Sequence, residues 1–155
     1  MSDPQGLTRR RALRTGAATF AGMIIVARSA HAQSPSPAHA ELLQRLAAGR
    51  TPQQGRVRVR MPEIAENGST VPITVTVESP MTAENHVKTL LVVSDGNPRP
   101  EVFSATLTPA AGKAEISTRI RVARTMNVIA YADMSDGTLW AGQTVATVTI
   151  GGCGS

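Results

Sequence analysis

From Arg56 onward, apolar and polar residues alternate with a period of two. Arg56-Val57-Arg58-Val59-Arg60-Met61 alternates strictly, and so does Val71-Pro72-Ile73-Thr74-Val75-Thr76-Val77-Glu78. Lys113 to Val122 sets Ala114, Ile116, Thr118, Ile120 and Val122 on one face and charged or small polar residues on the other. Side chains two apart share a face only in a strand, so each run predicts a half-buried strand. Pro72, which lacks an N–H, fits only the start of its strand or an edge. Leu90-Leu91-Val92-Val93 is a short unbroken apolar run, and Val102 to Leu107, Met126 to Ala132 and Leu139 to Ile150 complete the set. Turn chemistry separates the runs at Asn67-Gly68, Asp95-Gly96-Asn97-Pro98, Pro109-Ala110-Ala111-Gly112 and Ser135-Asp136-Gly137. About seven short strands at this spacing predict an all-β fold, an antiparallel sandwich over residues 56–150.

The period differs before residue 56. His39 to Ala48 places Leu42, Leu43 and Leu46 at i, i+1 and i+4, a short amphipathic helix ending near Gly49. Gln33 to Pro37 reads as a Ser/Pro linker, and Pro52 to Gly55 breaks the chain, so 33–55 is linker and helix. Residues 1–32 run from a basic cluster, Thr8 to Arg14, through a small apolar stretch to Ala30-His31-Ala32. That order is the pattern of a secretory signal peptide, and its apolar part is too short for a bilayer core of about 30 Å. Arg9-Arg10 followed by Leu13 resembles the twin-arginine export consensus, with Ala12 where a Phe is common. The expected location is therefore the periplasm.

The leader changes the charge argument. The chain has 16 Lys+Arg and 11 Asp+Glu. The leader takes Arg9, Arg10, Arg11, Arg14, Arg28 and Asp3, leaving 11 basic and 10 acidic residues, a net charge of +1. A nearly neutral remainder with Phe103, Tyr131 and Trp140 as its aromatics argues against a nucleic-acid or membrane-surface partner.

Clustered acid, base or nucleophile groups, which an enzyme needs, are not seen. His39 and His86 lie far from each other and from any carboxylate cluster with metal-ligand spacing, so both are read as surface histidines. Met61, Met81, Met126 and Met134 are scattered, as packing residues are, and the face Arg56, Arg58, Arg60 reads as solvated. No cofactor or metal is expected.

The tail Gly151-Gly152-Cys153-Gly154-Ser155 stands apart. Cys153 is the one cysteine of the chain, so no internal disulfide is possible, and an odd cysteine in an exported protein points to an intermolecular bond or a reactive thiol. Glycine on both sides leaves the backbone free in φ and ψ. Three extended residues carry the sulfur about 10 Å past the last strand. No cationic neighbour lowers its pKa locally, so the tail reads as a handle whose chemistry a partner supplies.

These features resemble the SoxY family, the sulfur-carrier subunits of the thiosulfate-oxidising multienzyme system. The resemblance rests on the leader, on Pro62-Glu63-Ile64-Ala65-Glu66-Asn67-Gly68, on Asp95-Gly96-Asn97-Pro98-Arg99-Pro100 and on the terminal Gly-Gly-Cys-Gly. The family tail usually ends in a second glycine pair, where Ser155 stands here. The resemblance implies a non-enzymatic periplasmic carrier with an immunoglobulin-like sandwich. Cys153 would be the covalent attachment site, and Gly151, Gly152 and Gly154 the joints of a swinging arm. It also implies a SoxZ-like sandwich subunit as partner; the exposed sheet edge and the N-terminal helix are expected to help dock it. The other implied partners are a c-type haem sulfur-conjugating enzyme, a sulfate-releasing hydrolase with a dimanganese centre and a sulfane dehydrogenase, which hold the metals and haems. Read from the residues alone, two alternatives stay open: an exported interaction protein whose Cys153 forms an interchain disulfide, and a metal-binding module using Cys153 with methionines or His86.

Overall fold

The computed structural model describes residues 36–149. Helix α1 spans Pro37–Ala47, followed by β1 (Gln53–Gln54), β2 (Val57–Arg60), β3 (Ile64–Ala65), β4 (Val71–Val77), β5 (Val87–Ser94), β6 (Glu101–Thr106), a 3-10 turn (Pro109–Ala111), β7 (Ala114–Ile120), β8 (Met126–Met134) and β9 (Leu139–Val148). They form two sheets. The first, here sheet A, runs β1-β9-β8-β5-β6 with β3 also on β9; the second, sheet B, runs β2-β4-β7. The long pairings are antiparallel, whereas β1 and β3 run parallel to β9. The fold is mostly β with one short helix, as the alternation predicts.

The two sheets share one core. Alternate residues of sheet B (Val71, Ile73, Val75, Val77) meet Leu90 and Val92 of β5 and Val128, Ala130 and Ala132 of β8, all buried. Close approach decides one residue there: a Cβ on Gly142 would lie 2.2 Å from the carbonyl oxygen of Val57, so β9 and β2 can meet only across a glycine. Pro72 is the second residue of β4, and β2 ends opposite Thr74, so that neighbour never requires the missing N–H.

The unbroken run in β5 has its own cause. Leu90 and Val92 face sheet B, and Leu91 and Val93 face the other way, into a second cluster with Tyr131, Leu139 and Ala141 beneath α1. Both faces are buried, so the polar half of the alternation disappears. Leu42, Leu43 and Leu46 of the helix pack on this cluster. The apolar face of α1, expected to help dock a partner, is thus occupied by sheet A.

Polar contacts fix the helix in place. Ser36 Oγ accepts the N–H of His39 at 3.2 Å, with Pro37 starting the helix, and Ala48 (φ 46°) and Gly49 (φ 86°) end it. Arg50 donates to the carbonyls of Leu46 and Ala47 at 2.9 Å and to Asp133 of β8 at 2.6 Å. Lys88 of β5 reaches the other oxygen of Asp133 at 3.2 Å.

His39 corrects the sequence reading. It is buried rather than on the surface, with Nε2 3.0 Å from the hydroxyl of Tyr131 and Nδ1 without a partner among the described residues. Its place three and four residues before Leu42 and Leu43 puts it on the helix's inward face. Burial holds the His39 pKa below its ordinary value of 6.5, against a smaller opposite pull from Asp95, and pushes the Tyr131 hydroxyl up from 10.0. Above pH 6.5 His39 is neutral whether folded or not. Below it the unfolded chain takes up a proton that the folded chain refuses, so stability falls with pH until the folded-state pKa is passed. Denaturant titrations between pH 7.5 and 5 should show this loss, and His39→Gln should remove that component. An equal pH slope in both proteins would show that His39 is not its source.

Candidate functional site: the root of the C-terminal tail

The proposed attachment residue Cys153 and its neighbours Gly151, Gly152 and Gly154 lie outside the described residues, as does the leader, 1–32. What the structure does show is the place from which the tail departs. Pairing of β9 with β8 ends at Ala146 opposite Met126. The last turn of β9 is then taken over by β3, with Thr147 opposite Ile64 and Val148 opposite Ala65. The N–H of Thr149 donates to the carbonyl of Ala65 at 3.2 Å, and that of Val148 to Thr125 Oγ1 at 3.2 Å.

Both internal segments that carry the family resemblance gather at this end. In the segment 62–68, Ile64 and Ala65 form β3 itself. Asn67 Oδ1 accepts the N–H of Ser69 at 2.9 Å, which turns the chain, and the carbonyl of Gly68 accepts the N–H of Val122 at 2.7 Å. A Cβ on Gly68 would lie 2.3 Å from the Val122 carbonyl oxygen and 3.2 Å from Cγ1 of Val148, so a glycine is required where this loop crosses the end of β9. In the segment 95–100, Asp95 accepts from the N–H of Asn127 at 2.9 Å and from its side-chain amide at 2.6 Å. Asn97 donates to the carbonyl of Arg121 at 3.1 Å and accepts from the N–H of Ala123 at 3.4 Å. A Cβ on Gly96 would stand 2.7 Å from that of Met126. Three loops, 62–70, 95–100 and 121–125, are thereby tied into one platform around the strand end.

The platform holds a strand end in place; it does not assemble a catalytic group. Among the described residues no three His, Cys, Asp or Glu side chains are placed to hold a metal ion. His86, the other histidine weighed in the sequence, hydrogen-bonds through Nδ1 to the carbonyl of Thr82. Of the methionines, Met81, Met126 and Met134 are buried in the inter-sheet core and Met61 packs against it. Arg56, just before β2, lies 4.6 Å over the ring of Trp140, and Arg58 of β2 pairs with Glu78 at 2.6 Å. No helix among the described residues is long and apolar enough to cross a membrane.

The model of the sulfur oxidation protein SoxY family matches residues 43–153, which takes in the platform and ends on Cys153. The chain belongs to the SoxY family. Among solved structures it is similar to the sulfur carrier protein SoxY from Chlorobium limicola f thiosulfatophilum, with 26% identity over 70% of this chain and 89% of that one, at a TM-score of 0.59. It also shares its fold with the superoxide reductase (neelaredoxin) from Ignicoccus hospitalis, with 13% identity over 61% and 81% of the two chains at a TM-score of 0.55. A putative superoxide reductase from Thermotoga maritima stands at 22%, 63%, 94% and 0.54 in the same terms. No curated protein matches the sequence. The family assigns the SoxY chain a sulfur-oxidation carrier role alongside the other proteins of the Sox system, and SoxY is a carrier rather than a catalyst.

The motif glycine at the platform gives a direct check. Gly68→Ala must displace backbone at Val122 or push Val148 from β3, and should cost about 1–3 kcal/mol of stability. Urea denaturation measures it; an unchanged midpoint and slope would mean that the loop does not hold the strand end.

Proposed function

We propose that this SoxY-family chain carries thiosulfate-derived sulfur covalently on Cys153. The family match carries the reading, because it extends to Cys153 and covers the loops that converge where the tail begins. From Thr149 to Cys153, four residues of extended chain can span about 14 Å. That length lets a thiol enter a narrow active site while the two-sheet body, read here as an immunoglobulin-like sandwich, stays outside. Gly151, Gly152 and Gly154 give the arm its joints.

The chemistry asks little of this chain. The Cys153 thiol and the sulfane sulfur of thiosulfate form an S–S bond, a proton leaves the thiol, and an electron pair passes to the oxidant, the c-type haem enzyme of the system. Water then cleaves the bond between the sulfane sulfur and the sulfonate group at the hydrolase, releasing sulfate and leaving a persulfide on Cys153 for the sulfane dehydrogenase. A SoxZ-like subunit pairs with the chain throughout. The setting is the periplasm, reached by a twin-arginine leader that exports the folded pair.

Three measurements test this. Incubated with thiosulfate and the partner enzymes, the intact chain should gain the mass of the conjugate, and Cys153→Ser should gain none. An unchanged wild-type mass would reject the carrier role. The same substitution should change folding stability by less than about 0.5 kcal/mol, since a thiol at the chain end buries little. Replacing Arg9 and Arg10 by Lys should leave both subunits in the cytoplasm; export of the partner subunit alone would contradict joint transport.

A further inference from the structure

One side of the two-sheet body is unfinished. β6 ends sheet A and β7 ends sheet B, each paired on one side only among the described residues. Between them opens a cavity of about 820 Å³ with Val102, Phe103, Ile116 and Ile120 in its lining. The register shows what is missing. Ile116 stands opposite Val75 and Thr118 opposite Ile73, so both face the inter-sheet core. Val75 and Ile73 are sealed, at 0% and 1% exposure, yet Ile116 is only half-buried and Thr118 is exposed. The core needs one more layer of side chains on this side.

The rim is positive. Arg99, Arg119 and Arg121 line the opening against a single carboxylate, Glu101. None of the three arginines has an ion pair among the described residues. The two edges also differ. The pairing of β6 with β5 is broken by a register shift at Val92/Val93, the kind of irregularity that keeps an edge from accepting a neighbour. β7 is regular over all seven residues of its pairing with β4 and presents an unbroken outer edge. The chain's own segment Gly151–Ser155 is a poor occupant, because it has no large apolar and no acidic side chain.

We infer that this groove receives an extended segment of the second subunit, which adds along β7, fills the cavity with an apolar face and sets carboxylates against Arg119 and Arg121. The geometry is that of strand addition at an open edge: main-chain bonds give affinity and alternate side chains give specificity. A segment of about seven residues matches the length of β7, Ala114–Ile120. The partner's identity rests on the carrier reading; the groove and the chemistry of its occupant do not.

The test is a calorimetric titration of the purified chain with the second, sandwich subunit of its system. Arg119→Glu with Arg121→Glu, and separately Thr118→Trp, should each weaken binding about tenfold or more. Arg60→Glu, on the outer face of sheet B, should leave it unchanged, and thermal melts confirm that the variants fold. Amide exchange across Ala114–Ile120 should slow in the complex. Unaltered affinity in both groove variants, or slowing at β2 in place of β7, would overturn the inference. So would slowing at β7 in the isolated chain that follows its concentration, which assigns the groove to a second copy, or that vanishes on deleting 151–155, which assigns it to the tail. Weighing Cys153 adducts on the same preparations separates the two readings. No adduct with groove binding intact counts against the carrier role alone, and an adduct without groove binding counts against the groove alone.

Discussion

Burial of sheet A on both faces is the condition on which the rest of this molecule depends. A chain with one cysteine cannot cross-link itself, so about a hundred residues must be held by packing. One sheet stacked on another leaves two outer faces in water, and here one of them is covered. Residues 90–93 of β5 show the arrangement: Leu90 and Val92 go to the inter-sheet core, Leu91 and Val93 to the cluster under α1. Each fully buried aliphatic side chain contributes roughly 1.5–3 kcal/mol, so the helix layer is a substantial share of the stability. Its fastenings are polar and specific. Arg50 satisfies two carbonyls at the helix end while pairing with Asp133, and His39 meets Tyr131 below the first turn.

That arrangement separates stability from chemistry. The helix covers one face of sheet A, sheet B covers the other, and β1, β3 and β2 gather about β9. What remains is the loop platform at the end of β9 and the open side between β6 and β7. The platform is made of backbone bonds and short polar side chains, with no room for a side chain at Gly68 or Gly96, and it positions the strand end.

Most of the fold was legible because its strands are long enough to show a period. The runs read at 71–78, 113–122 and 126–132 became β4, β7 and β8 with ends moved by one or two residues. The two-residue strands β1 and β3 were not legible, since Gln53-Gln54 and Ile64-Ala65 are too short to carry any period and owe their pairing to β9. His39 was misread for a different reason. Its position relative to Leu42 and Leu43 pointed inward, but a polar residue type suggested the surface, and only the hydroxyl of Tyr131, 92 residues away, makes burial tolerable. The tail stands out in the sequence by composition, a lone cysteine among glycines, and lies outside the described residues. That the segments 62–68 and 95–100 meet where it begins depends on long-range pairing that no local pattern encodes.

The superoxide reductases that share this fold show how little the scaffold alone determines. Similar sheets serve proteins of a different description, so what distinguishes this chain must lie in what is attached to the scaffold and what the scaffold leaves open. Both are edge features. The attached feature is the sequence that follows β9, a strand of sheet A held by β8 as far as Ala146 and by β3 at its end. The open feature is β7, whose regular edge and unpaired arginines border an incomplete core. Asn97 touches both, since its loop belongs to the platform and its side chain holds Arg121 and Ala123 at the cavity's lip. A segment seated in the groove would therefore bear on the same loops that hold the end of β9.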